Sequence, residues 1–170
     1  MVAKNSRGQA AMEYLMTHGW ALLVIVIVIA ILLVMNPFSQ PQSCRFDQIG
    51  FTCEGPVISA STGILYVKIM NGNNNAIKLY DVQCTPSKSA SAPASTLTTT
   101  VVATIQRQDT FQVNATTSLN GVNGVKCAAA GSLKAGTDFS GKIWVYYRNA
   151  EDGTDYPMRT TSATLTTKAV

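Results

Sequence analysis

Ala21-Leu22-Leu23-Val24-Ile25-Val26-Ile27-Val28-Ile29-Ala30-Ile31-Leu32-Leu33-Val34-Met35 contains no charged or polar side chain, and its reading decides the architecture of this 170-residue chain. Apolar residues recur without an amphipathic stripe, so a helix here is buried on every side, in lipid or among other helices. From Ala10 to Met35 it would be about 39 Å long, enough to cross a hydrocarbon core of roughly 30 Å. Pro37 supplies the stop, because the residue before a proline is pushed out of helical torsions.

Upstream of the run lie Lys4 and Arg7, a basic flank that places the N-terminus on the cytoplasmic side. A secretory signal peptide would need a small-residue cleavage site after the apolar stretch, and Met35-Asn36-Pro37-Phe38 does not supply one. A plain signal anchor fits the hydrophobicity but leaves Glu13 unexplained, since ionised side chains are costly inside a membrane. Trp20 suits a membrane interface, and His18, the sole histidine, reads as a packing or interfacial residue.

The order Lys4-Asn5-Ser6-Arg7-Gly8-Gln9-Ala10-Ala11-Met12-Glu13 resembles the class III signal of archaeal type IV pilins. In that family a short basic leader ends in Gly, a Gln opens the mature chain, and a Glu stands at its fifth position. Arg7, Gly8, Gln9 and Glu13 match, and the apolar run begins where the family's does; the likeness covers about the first fifth of the chain. It implies removal of residues 1–8 by a prepilin peptidase cutting between Gly8 and Gln9, with a retained helix over 9–36. It implies further a membrane-inserted precursor, the pilus assembly machinery as partner, and copies of itself in a helical filament. In that picture Glu13 meets the new amine at Gln9 of a neighbouring subunit, each offsetting the other's desolvation and fixing register. Val24, Ile27, Ile31 and Val34 would carry the helix–helix contact. Snorkelling to the headgroups, or protonation, are the plainer fates of Glu13. An archaellin usually opens its mature chain differently. A minor pilin, or an anchored extracellular binding module that never polymerises, shares the same signal.

Charged residues make up 13% of the chain, about half the share usual in a soluble domain. The formal charge of +4 is dispersed, with no basic stripe interleaved by aromatics, which argues against nucleic acid as a partner. Loss of Lys4 and Arg7 with the leader would bring the balance to about +2. Cys44, Cys53, Cys84 and Cys127 all follow the apolar run and match no CxxC pattern. An even count beyond a membrane segment favours two disulfides on an oxidising, extracellular face. Of the three connectivities, Cys44–Cys53 and Cys84–Cys127 are expected; buried free thiols are the alternative.

Residues 37–43 read as a linker and 44–170 as the head. Leu65, Val67 and Ile69 alternate with Tyr66, Lys68 and Met70, the period of a half-buried strand. Asn71-Gly72-Asn73-Asn74-Asn75 is a turn signal, predicting a hairpin with Ala76–Cys84. Further strands are predicted at Ile49–Thr52, Pro56–Ser59, Thr96–Ile105 with Leu97, Val101 and Ile105 inward, Thr110–Val113, Gly124–Ala128, Gly141–Arg148 and Met158–Thr166. The fold class expected is therefore α+β, a long hydrophobic helix followed by a mainly antiparallel, Ig-like β-sandwich. Thr85–Thr100, with Pro86, Pro93 and nine Ser/Thr residues, reads as a surface loop or a bed for O-linked sugars. Asn114-Ala115-Thr116 is the one N-x-S/T sequon, compatible with glycosylation or with chance.

Nothing in the head points to an enzyme. It has no histidine, which excludes histidine-based triads and zinc sites. Glu151, Asp152 and Asp155 surround Gly153, too few ligands for a calcium loop and better read as a polar turn. Gly121–Gly124 lacks the lysine and setting of a phosphate loop. No cofactor and no metal are implied.

Overall fold

The computed structural model describes residues 6–35, 41–88, 90–93, 100–119 and 122–170. Two compact units divide between Ser39 and Gln40, an apolar helix and a set of antiparallel sheets, consistent with the α+β class. Helix α1 (Ser6–Met35) begins three residues before the expected start at Gln9. Arg7, Gln9, Ala10, Ala11 and Met12 are good helix formers and only Gly8 opposes them, so the helix runs back through the expected cleavage bond. Most of the 37–43 linker lies outside the described residues, and Ser43 already opens the first strand.

In the second unit the strands are β1 (Ser43–Phe46), β2 (Phe51–Ile58), β3 (Ile64–Asn71), β4 (Ile77–Thr85), β5 (Ala103–Ile105), β6 (Thr110–Val113), β7 (Ser118–Leu119), β8 (Val122–Asn123), β9 (Val125–Lys126), β10 (Asp138–Asn149) and β11 (Arg159–Lys168). A five-stranded sheet runs β1-β11-β10-β4-β5, and a second runs β2-β3-β6 with β9 also on β3; β7 and β8 form a small ribbon. Every pairing within the sheets is antiparallel.

Alternation decides which residues enter the core. On β3 Leu65, Val67 and Ile69 are buried while Tyr66 and Lys68 face out. On β10 Ile143, Val145 and Tyr147 point inward, and on β11 Ala163 and Leu165 do the same. These side chains join Phe46, Ile58, Ile77, Leu79, Ile105 and Val113 in one hydrophobic cluster drawn from both sheets. Each such aliphatic side chain contributes about 1.5–3 kcal/mol when fully buried.

Several predicted elements are corrected. The hairpin of Leu65–Met70 with Ala76–Cys84 does not form: β4 pairs with β10 and β5, so residues 72–76 carry the chain from one sheet to the other. The reason is Asn71, which is a buried hub and no turn residue. Its amide nitrogen donates toward the carbonyls of Asn75 (3.0 Å), Ile105 (3.2 Å) and Gln106 (3.2 Å), and its oxygen accepts from Asn73 N–H at 3.0 Å. A buried amide satisfied on both ends fixes the crossover, where an unsatisfied one would cost 1–3 kcal/mol. Ile49 is fully exposed in a turn, and the strand predicted there starts at Phe51. Pro56–Ser59 is the end of that same strand, beyond a bulge between Glu54 and Val57. From Thr96–Ile105 only Ala103–Ile105 is strand; Val101 is exposed, and Leu97 lies outside the described residues.

On the outer side of the five-stranded sheet, Asp47 Oδ2 accepts from the Ser162 hydroxyl at 2.6 Å and from Lys142 Nζ at 3.1 Å. The Ser162 hydrogen bond, then Lys142, hold the Asp47 carboxyl below its ordinary pKa. A depressed folded pKa stabilises above the unfolded value and loses that contribution as pH falls through the folded one. Asp47 is half exposed, so Asp47→Asn is expected to cost under about 1 kcal/mol at neutral pH. The cost should shrink as pH falls through the ordinary carboxylate range and vanish once Asp47 is protonated in both states, which thermal unfolding of both proteins at neutral and at strongly acid pH checks.

Candidate functional site: the apolar helix

Helix α1 holds eight β-branched residues among Val24–Val34. In water such residues lose χ1 freedom in a helix and suit strands better. In hydrocarbon the preference reverses, because every backbone N–H and C=O must be bonded within the segment, as only a helix allows for a single span. The described stretch Met12–Met35, 24 residues, is long and apolar enough to cross a membrane. Among the described side chains of this stretch no large apolar one is covered: Val24, Ile27, Ile31 and Val34 are all exposed.

Helical geometry sorts these residues. At about 100° per residue, Glu13, Val24, Ile27, Ile31 and Val34 fall within about 80° of arc, on one face. Along that face Ile27, Ala30, Ile31, Val34 and Met35 border a shallow apolar groove, in which Ala30 is the notch between larger neighbours. A small residue flanked by large ones is the surface a second helix packs into closely. Near the start, the rings of Tyr14 and His18 stack at 4.0 Å, and His18 Nδ1–H donates to the Tyr14 carbonyl at 3.2 Å. His18 is thereby tied to the helix it sits on. Gly8 and Gln9 lie in the helical backbone; the side chains of residues 6–11 are outside those described.

In the head, Cys44 of β1 is bonded to Cys53 of β2, and Cys84 of β4 to Cys127 just after β9. Each bond joins one sheet to the other, and together they account for all four cysteines. In the turn between β2 and β3, Gly63 holds φ +70°, and a Cβ there would run into the Ala128 carbonyl just after β9. Asp152 accepts from Asn149 N–H at 3.2 Å and faces Arg159 at 3.5 Å, while Glu151 accepts from Asn75 at 3.4 Å. Asp152 thus helps hold the β10–β11 connection, and Glu151 ties that turn to the crossover between β3 and β4. Among the described residues no group of three metal-ligating side chains gathers.

Tyr146 and Asp81 were not singled out by sequence, yet both are buried on the outer side of the five-stranded sheet. The Tyr146 hydroxyl donates to the Pro93 carbonyl at 2.9 Å, and burial, with Asp81 adding to it, pushes its pKa up. The Pro-containing segment after β4 therefore covers part of this face. Asn114 stands at the end of β6, its sequon forming a tight turn. Comparison with known family models, curated proteins and solved structures found no match for this chain.

Proposed function

We propose that this chain is a structural subunit of an extracellular filament of the archaeal type IV pilus kind. It is inserted in the membrane by α1 and then polymerises through that helix, serving adhesion. The observation that carries the reading is α1 itself, apolar on every side and uncovered, with Glu13 on the face of Val24, Ile27, Ile31 and Val34. The order of Arg7, Gly8, Gln9 and Glu13 ahead of the run supports it, as does a disulfide-linked head poor in charge. The two sheets are read as an Ig-like sandwich displayed outside the helical core.

Physical chemistry constrains the assembly step. A helix leaving lipid for other helices gains no hydrophobic free energy, since lipid tails are as apolar as leucine. Extraction therefore draws on the assembly machinery and on close packing at Ala30. Once formed, the core is held against water: about 1,500 Å² of apolar burial at about 25 cal/mol per Å² outweighs any single polar contact.

The test is the N-terminus and the physical state of the protein from its native host. Mass spectrometry should find Gln9 first, and electron microscopy of surface preparations should show filaments that yield this chain's peptides. An intact Met1, or a cut beyond Met35, would falsify the processing. Correct processing with membrane-bound monomers only would favour an anchored binding module.

A further inference from the structure

The outer face of β2-β3-β6 holds a groove of about 300 Å³ opening among Glu54, Gly55, Tyr66, Lys68, Gln112 and Asn114. It lies beside the bulge between Glu54 and Val57 in the β2–β3 pairing. The β3–β6 register pairs Lys68 with Gln112 and Val67 with Val113, and its continuation sets Tyr66 opposite Asn114. Tyr66 and Asn114 both line that groove, one on β3 and the other just past the end of β6.

Asn114 is held in one orientation. Its Oδ1 accepts from Thr116 N–H (3.0 Å), the Thr116 hydroxyl (2.8 Å) and the Thr117 hydroxyl (3.0 Å), while Thr117 Oγ1 accepts from Asn114 N–H at 3.0 Å. All three bonds to the side chain use oxygen, and among the described residues Nδ2 makes no hydrogen bond. A sugar joined at Nδ2 disturbs none of them.

We propose that Asn114 is the attachment point of an N-linked glycan whose first sugar lies in this groove against the Tyr66 ring. The inference rests on the reading that the head is extracellular. Nδ2 displaces a polyprenyl phosphate or diphosphate from the anomeric carbon of a lipid-linked oligosaccharide. A C–N bond forms, the C–O bond to phosphate breaks, and one amide proton passes to the transferring enzyme's base. No oxidant is required. The sugar's C–H face meets an aromatic ring, a surface with an apolar body and polar surroundings. The hydroxyls meet Gln112, Glu54 and Lys68, whose side chains line the same groove. A glycan seated there supplies the solvation that a charge-poor surface lacks.

The experiment uses full-length protein from its native host, digested without reduction. The peptide spanning Asn114 is expected to carry a saccharide mass that is lost in Asn114→Asp, a variant that keeps the oxygen acceptor and hence the turn. Hydroxyl-radical footprinting should then find Tyr66 oxidised severalfold less in the glycosylated protein than in Asn114→Asp. Attachment with equal oxidation of Tyr66 overturns the seating in the groove. A bare Asn114 beside intact Cys44–Cys53 and Cys84–Cys127 bonds overturns the glycan and leaves the extracellular reading standing. A bare Asn114 with all four thiols free overturns both.

Discussion

Joint replacement of Cys84 and Cys127 by alanine is expected to lower the stability of the head by about 4 kcal/mol, against about 2.5 kcal/mol for Cys44 and Cys53. The difference comes from the denatured chain. The first bond closes a loop with a sequence separation of 43 and the second one of 9, and the entropy removed by a cross-link grows with the logarithm of loop length. The two loops do not overlap in sequence, so their contributions should add within a few tenths of a kcal/mol. Cys127 is buried beside the core, so its replacement also loses packing, which widens the gap in the same direction. Chemical unfolding of the full chain in mild detergent, followed by Trp144 fluorescence in a Trp20→Phe background, measures both values. Equal costs would mean that local packing dominates over loop closure.

The sequence made the inward face of each long strand readable but could not say which strand lay beside it. Leu65, Val67 and Ile69 declare a core face through their period of two, and the structure buries them. The same period is silent about neighbours. The chain leaves β3 at Asn71 for the other sheet because that amide bonds to carbonyls at Ile105 and Gln106, a distant segment. Local chemistry read Asn71 as a turn residue because asparagine in water is usually that. Thr167 is a parallel case: it is buried on β11, its hydroxyl donating to the Pro56 carbonyl at 2.6 Å, a use no Thr-rich run announces. For α1 the error would have run the other way. Intrinsic propensity counts Val24–Ile29 as strand formers, and only the unbroken apolar length makes the helix legible. The groove beside Asn114 was hidden because it lies across three strands beside a bulge, and both pairing and bulges follow from register and not from composition.

Glu13→Gln is expected to leave membrane insertion of α1 intact and to reduce filament yield by more than about a hundredfold, if the proposed assembly holds. Insertion should become easier, because an acidic side chain within a membrane helix costs up to about 2.5–3.5 kcal/mol and the amide costs less. Assembly should fail for the opposite reason. In the proposed filament the carboxylate of one subunit meets the amine that cleavage creates at Gln9 of the next. Removing one partner of a buried ion pair leaves the other charge uncompensated, at about 3–5 kcal/mol for each contact. The same contact recurs at every subunit, so the whole penalty enters the free energy of each addition, and the concentration needed for growth rises by the corresponding factor. Glu13→Asp separates charge from reach: it keeps the carboxylate but shortens the side chain by one methylene, and should assemble between the two extremes. Membrane fractions blotted for the processed chain measure insertion, and sheared filaments counted by electron microscopy measure assembly. Normal filaments from Glu13→Gln would show that Val24, Ile27, Ile31 and Val34 set the register by packing alone, with the carboxylate on their face serving only the membrane-bound precursor.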